Sequence, residues 1–237
     1  MALSIGVALN VGLAARLNLS VGMSLLVALA GLLTIPVVAM ATKIIKGEER
    51  LFFYHHFVAV LCVASALLWL TGRPLLPHLD VLMLACGGVR AFGYFACLLA
   101  GCCHGRPCRL GVAYGATHVA AGLPPQFLGV RLFPSQVFES AWAFGALIAG
   151  CALILDRPAP GTALAFFITA YCPARFFFEF ARWYAPRDYS LGLSNAQWIS
   201  LALVASVVGL EACGALPPRR WHAAILIVVA AAAAVAA

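Results

Sequence analysis

Two short stretches of this chain concentrate groups that can do chemistry. The first is Gly101-Cys102-Cys103-His104-Gly105-Arg106-Pro107-Cys108-Arg109, and the second is Ala174-Arg175-Phe176-Phe177-Phe178-Glu179-Phe180-Ala181-Arg182. Guanidinium groups grip phosphate in bidentate fashion, and an imidazole such as that of His104 exchanges a proton near neutral pH. Arg175, Glu179 and Arg182 stand at i, i+4 and i+7, on one side of a helix whose other side is phenylalanine. One reading is an ion-pair ladder that ties this helix to its neighbours. The other leaves an arginine for an anion, most simply a lipid phosphate, and is favoured because ionisable groups at membrane depth are costly and serve function. Gln136, Glu139 and Ser140 also share a helical face. That face either lines a polar cavity or, for Glu139, sets a carboxylate near the positive end of a helix dipole.

The elements that carry these groups are membrane helices. The chain has 237 residues, of which 64% are hydrophobic and only 10% charged, and its mean hydropathy is +1.01. No water-soluble domain carries such a composition. Backbone polar groups in lipid must be satisfied internally, so the spans are helices of about 20 residues. About seven apolar stretches are expected to cross, over residues 20–42, 52–71, 79–101, 134–155, 160–182, 196–213 and 221–237. The fold class is therefore an all-α polytopic bundle, read as a single integral membrane domain over residues 1–237. Residues 1–15 are shorter and interrupted by Asn10, which suggests an interfacial helix or an uncleaved anchor. No basic residue precedes the apolar run, which argues against a removable signal peptide. One sizeable extramembrane loop, about 102–133, is rich in Gly, Pro and single polar residues, and long loops in compact proteins are usually functional.

Basic residues outnumber acidic ones by 15 to 8, but they are scattered one or two per loop. They read as topology and anchoring signals rather than as a nucleic-acid surface. Lys43, Lys46 and Arg50 place the loop after the first span in the cytoplasm, and alternation would put the 102–133 loop on the same side. With the ligand arginines set aside, Lys43, Lys46, Arg50, Arg131 and Arg187 stand against Arg16, Arg73, Arg157, Arg219 and Arg220, and the count is level. Of the nine cysteines, Cys62, Cys86, Cys97, Cys151, Cys172 and Cys213 fall in or at the ends of apolar helices, where cysteine is a small hydrophobe. Cys102, Cys103, His104 and Cys108 are zinc-ligand types, but their spacing argues against a metal: adjacent cysteines do not easily converge on one ion and no second pair completes the set.

Three blocks, in order, give the chain a family resemblance. Gly93 to Pro107, Pro134-Ser135-Gln136-Val137-Phe138-Glu139, and Arg175-(x)3-Glu179-(x)2-Arg182 resemble the signature, the Pro-Thr-Gln-Leu-Tyr-Glu block and the Arg-(x)3-Glu-(x)2-Arg helix of the prolipoprotein diacylglyceryl transferases. Asp80 and Gly192-Leu193-Ser194-(x)2-Gln197 also fit, so the resemblance covers roughly residues 78 to 200, and seven helices agrees with that family. The departures are specific. Of the signature Gly-Arg-x-Gly-Asn-Phe-x-Asn-x-Glu-x-x-Gly-Arg only the glycine frame and Gly105-Arg106 remain. Tyr94 stands where arginine is expected, and Cys97, Ala100 and Cys102 replace two asparagines and a glutamate. Arg90, one turn before Tyr94 on the same face, is a candidate for the missing guanidinium. No His-Gly-Gly element is recognisable, although His55 and His56 lie at a comparable distance before Asp80.

The resemblance implies that the diacylglyceryl group of phosphatidylglycerol passes to the cysteine thiol of a prolipoprotein, with glycerol phosphate leaving, at the bacterial inner membrane. It implies no metal and no redox cofactor. In that reading Arg106, Arg175 and Arg182, with Arg90 as a fourth, hold the phosphate; His104 is the first candidate for general base and Glu139 the second. Tyr94, Glu179, Gln136, Gly105, His55 and His56 complete the expected substrate contacts, and the acyl chains are expected among Phe176, Phe177 and Phe178. The alternatives are a paralogue with the same donor and another acceptor, a membrane thiol oxidoreductase using Cys102-Cys103, and a non-catalytic lipid-binding protein.

Overall fold

Each apolar stretch becomes a helix in the computed structural model, which describes residues 1–47, 53–183 and 189–236. Arg50 and Arg187 of the topology count lie outside the described residues. The helices are α1 (Ala2–Arg16), α2 (Val21–Lys46), α3 (Phe53–Leu70), α4 (Leu75–Ala100), a short α5 (Ala116–Ala120), α6 (Ser135–Leu155), α7 (Thr162–Ala181), α8 (Asn195–Ala212) and α9 (Arg220–Ala236). Five of them, α2, α4, α6, α7 and α8, are long and apolar enough to cross a bilayer, and α1, α3 and α9 are shorter apolar helices. The chain is a polytopic helical membrane protein. Asn10 does not interrupt α1: the helix is continuous and lies along α4, with Gly6, Asn10 and Ala14 buried.

Helix α4 is the centre of the bundle, packed against α1, α6 and α7. Lipid tails give helices no hydrophobic reason to associate, so close packing over small residues does that work. A Cβ on Gly88 would stand 2.4 Å from Leu9 Cδ1, and one on Gly87 would stand 2.5 Å from Phe167 Cε2. The start of α7 is fixed by Asp80, whose carboxylate accepts the N–H groups of Gly161 and Leu164, both at 2.7 Å. This gives Asp80 a structural role as the cap of a helix whose far end carries Arg175, Glu179 and Arg182.

The 102–133 segment is more ordered than its composition suggests. Strands β1 (Pro107–Ala113) and β2 (Arg131–Leu132) pair antiparallel with an irregularity between Pro107 and Val112. Tyr114, Leu123, Phe127 and Leu132 form a small core of their own, joined by Val119, Val130 and Trp183. Backbone bonds stitch this unit to the bundle: Gly105 N–H to Phe133 O at 2.8 Å, Phe133 N–H to Arg106 O at 2.9 Å and Arg106 N–H to Ala181 O at 3.1 Å. A second hairpin, β3 (Tyr189–Ser190) with β4 (Leu193–Ser194), turns on Leu191 and Gly192. Both have positive φ, 50° and 70°, the geometry of a type I′ turn.

Candidate functional site

The ends of α4 and α7 and the start of α6 meet beneath the loop unit, and Glu139 lies at the meeting point, 1% exposed. Its position on α6 follows from spacing: Gln136, Glu139 and Ser140 share the face turned to α4, and all three are buried. Ser140 anchors that face by donating to Ala91 O at 2.7 Å. Glu139 therefore points into the bundle, away from any role at the helix dipole.

Three arginines surround this carboxylate. Arg182 Nε donates to Glu139 Oε1 at 2.5 Å. Arg175 Nε lies 3.6 Å and Arg90 Nη2 3.9 Å from Oε2. The Tyr94 hydroxyl donates to the same Oε2 and accepts from Arg90 Nη2, while Arg182 Nη2 reaches it at 3.3 Å. Arg90 also donates through Nε to the Tyr171 hydroxyl at 3.0 Å, and its guanidinium carbon sits 4.3 Å from the centre of the Tyr94 ring. Where the family signature has an arginine, the chain thus has a tyrosine that receives a guanidinium from one helical turn earlier.

Glu179 is the second carboxylate. It pairs with Arg175 Nη1 at 2.5 Å and accepts from Ser194 Oγ at 3.0 Å. Ser194 also caps α8, accepting from Gln197 N–H at 3.4 Å while Gln197 Oε1 takes the Ser194 N–H at 2.9 Å. The Leu191-Gly192 turn delivers Ser194 to this place. Three guanidiniums against two carboxylates leave this constellation one net positive charge, in surroundings where anions have few other partners.

Two apolar cavities open on either side of Tyr94. One, of about 360 Å³, lies among α1 to α4 and is lined by Asn10, His56, Arg90, Tyr94 and Cys97 among apolar side chains; the other, about 250 Å³, lies between α4 and α6 with Phe95, Leu98, Gln136 and Phe144 in its wall. Phe176, expected beside acyl chains, instead packs fully buried with Leu193, Val229 and Ala233, and Phe177 is exposed on the bundle surface. The apolar space that reaches the charged constellation is elsewhere.

The remaining expected site residues are placed differently from the constellation. His104 is buried in the loop's own core: its ring stacks on Trp183 and meets Phe127 edge-on, and Nδ1 lies 2.9 Å from Gly105 O. Gly105 is required by close approach, since a Cβ there would lie 2.8 Å from both Ala181 O and Phe133 Cδ1. Its tight pairing with Arg182 turns Gly105 inward and the next side chain, Arg106, outward, where it is exposed. Gln136 Nε2 donates to Cys102 O at 2.6 Å and lies 3.5 Å from the Tyr114 hydroxyl, so it holds the loop to α6. His56 lines the larger cavity, whereas His55 is half-buried outside its wall.

Comparison with known proteins adds the decisive fact. Residues 51–212, more than half of the chain, match the family model described as prolipoprotein diacylglyceryl transferase. The chain belongs to this family. Among relatives named phosphatidylglycerol–prolipoprotein diacylglyceryl transferase, that of Clostridium tetani is 30% identical over 137 residues, 57% of this chain and 51% of the relative. A second from Clostridium perfringens is 33% identical over 118 residues, 48% and 43% of the two chains, and one from Dehalococcoides mccartyi is 32% identical over 120 residues, 50% and 44%. The chain spans about half the length of the relatives it matches. No solved structure matches.

Against the family signature, the replaced positions gain a structural meaning. Cys97 and Cys102 come together with Cys103, their three Sγ atoms lying within 4.8 Å of one another. The Cys102 and Cys97 thiols donate to Cys103 and the guanidiniums of Arg182 and Arg90 lie near, and together they hold the Cys103 thiol below the usual cysteine range; Cys102, its partner, is pushed up. Neither Tyr171 nor this convergence was among the sequence candidates. Tyr171 had a signal, since it precedes Arg175 by one turn on the same face, but the convergence depends on backbone turns that no side-chain pattern announces.

Proposed function

We propose that this protein transfers the diacylglyceryl group of phosphatidylglycerol to the cysteine thiol of a prolipoprotein, in the inner membrane of a bacterium, as a single integral membrane unit. The observation that carries this is the convergence of Arg90, Arg175 and Arg182 on Glu139 between two apolar cavities. A phosphodiester entering from the bilayer competes with Glu139 for these guanidiniums, which bind it and absorb charge on the leaving oxygen. Its two acyl chains take the two cavities on either side of Tyr94. Glu139, released from Arg182 by the phosphate, accepts the thiol proton. The thiolate attacks the glyceryl carbon, the carbon–oxygen bond to phosphate breaks, and glycerol phosphate departs with the bonding electrons. Glu179 and Ser194 keep Arg175 in place. Of the sequence candidates for the base, Glu139 is the one beside the phosphate site, while His104 serves the packing of the loop. Cys97, Ala100 and Cys102 in place of the family's polar residues favour a second reading, in which the donor is the same and the acceptor is a different molecule.

The test is mass spectrometry on the purified protein in phosphatidylglycerol vesicles with a synthetic prolipoprotein peptide. A diacylglyceryl mass on the peptide cysteine together with released glycerol phosphate is the expected result. Glycerol phosphate without peptide modification would favour the second reading, and neither product from folded protein would refute both.

A further inference from the structure

Beside the phosphate constellation, the end of α4 builds a second constellation made only of sulfur. Cys97 lies in the last turn of α4. Gly101 follows in the left-handed region, φ 71°, and the chain folds back so that Cys102 N–H reaches Cys97 O at 3.1 Å. This is the six-to-one bond of a Schellman turn, and it lays Cys102 over Cys97. Cys103 then takes φ 56°, a left-handed conformation costing a non-glycine residue about 1 kcal/mol or more. That turn is what allows two adjacent cysteines to face the same point. Ser135 Oγ donates to Cys103 O at 2.7 Å and Gln136 Nε2 to Cys102 O at 2.6 Å, so two residues of α6 hold the turn in place. The strain and its supports are arranged around the convergence of three thiols.

We propose that Cys97, Cys102 and Cys103 form a three-thiolate zinc site whose fourth position is open to a further thiolate, that of the acceptor cysteine. Zinc with sulfur ligands at about 2.3 Å in tetrahedral geometry needs sulfurs about 3.8 Å apart, so sulfurs within 4.8 Å close on the ion by shifts of about 1 Å. Three protein ligands with one position left over is the pattern of zinc sites that do chemistry rather than hold structure. His104 and Cys108, the other candidates from the sequence, are not in the group among the described residues. Cys102 is exposed and Cys103 half-buried, so the open side is reachable by a further ligand. Three thiolates and one divalent ion carry a net negative charge, which suits a place beside Arg90 and Arg182. A thiol that coordinates such an ion gives up its proton and is held as a nucleophile; the proton goes to Glu139 or water, the zinc neither gains nor loses electrons, and the sulfur–carbon bond forms as the carbon–oxygen bond to phosphate breaks. The acceptor's part in this rests on the proposed transfer reaction, whereas the metal site itself does not.

The experiment is zinc and cobalt binding to the full chain, reduced, in lipid nanodiscs. The expected result is one zinc per chain, with affinity lowered at least tenfold in each of Cys97→Ser, Cys102→Ser and Cys103→Ser and unchanged in Cys108→Ser and Cys213→Ser. In the unaltered protein, zinc should protect three thiols from alkylation, a count that needs no variant to fold. With cobalt in the site, a cysteine-bearing acceptor peptide should raise the sulfur-to-metal charge-transfer band by about a third, from three thiolates to four, and its serine counterpart should not. Binding well below one equivalent, or binding that the three variants leave unchanged, would overturn the site. A band unmoved by the peptide would overturn the open position. Diacylglyceryl transfer at full rate after zinc removal would overturn the metal's role and leave the transfer reaction standing; zinc bound and peptide coordinated, with no transfer product, would refute the reaction and leave the site.

Discussion

Replacing Glu139 by glutamine removes the anion on which three arginines converge while keeping its size. Glu139 is 1% exposed, with guanidinium nitrogens at 2.5, 3.6 and 3.9 Å. Removing one partner of a buried ion pair costs about 3 to 5 kcal/mol, because the remaining charge stays buried without compensation. At 1.4 kcal/mol per factor of ten, the ratio of folded to unfolded protein falls by about two to four orders of magnitude. Here the variant goes from one net positive charge in the constellation to two. The variant should also respond more strongly to lipid charge: anionic phosphatidylglycerol offers the three arginines a replacement for the lost carboxylate, so it should restore part of the loss that phosphatidylcholine does not. Reversible unfolding by SDS in mixed micelles, followed by tryptophan fluorescence, reads both effects. Equal stability of Glu139→Gln and the unaltered protein in both lipids would refute the assignment of Glu139 as the counter-ion of the three arginines.

Other perturbations separate the residues of the family motifs. Arg175→Ala should lower the transfer rate at least about 100-fold, near 2.7 kcal/mol of transition-state binding, whereas exposed Arg106→Ala should change it less than about threefold; rates from released glycerol phosphate check both. Gly105→Ala should destabilise by about 1 to 3 kcal/mol by forcing a Cβ against Ala181 O and Phe133, read as a fall in Tm. Ser194→Ala should cost about 1 kcal/mol through the lost cap of α8 and also lower the rate, because Glu179 loses a hydrogen bond. In metal-free protein, alkylation should reach Cys103 before Cys102 at pH 7: a lowered thiol pKa means that the thiolate is present below the ordinary cysteine range, and its reactivity should fade only at more acid pH.

The helices were legible because hydropathy is a contiguous property. The expected stretches 79–101, 134–155 and 160–182 differ from α4, α6 and α7 by a few residues at most, and the face spacing of Arg175, Glu179 and Arg182 carried into three dimensions unchanged. What the sequence hid depends on turns. The positive φ of Leu191 brings Ser194 to Glu179, and the positive φ of Cys103 lets neighbouring cysteines converge; most side chains avoid that region, so neither could be read from composition. Arg106 sat in the best-preserved dipeptide of the signature, yet alternation beside Gly105 turned it to solvent. His104 looked like a base because of its chemistry, but its neighbours Phe127 and Trp183 made it part of a small core. Arg90 was legible by the opposite route, from its spacing to Tyr94 on one helical face.

Transfer at the arginine constellation is read most directly from release of glycerol phosphate from head-group-labelled phosphatidylglycerol, with and without acceptor peptide, by the unaltered protein and by Arg182→Ala. The two should be compared at equal folded protein. Peptide-dependent release by the unaltered protein is expected, with a loss of at least about 100-fold in the variant, whose missing guanidinium is the one bonded to Glu139. Undiminished release by folded Arg182→Ala would contradict transfer at this site.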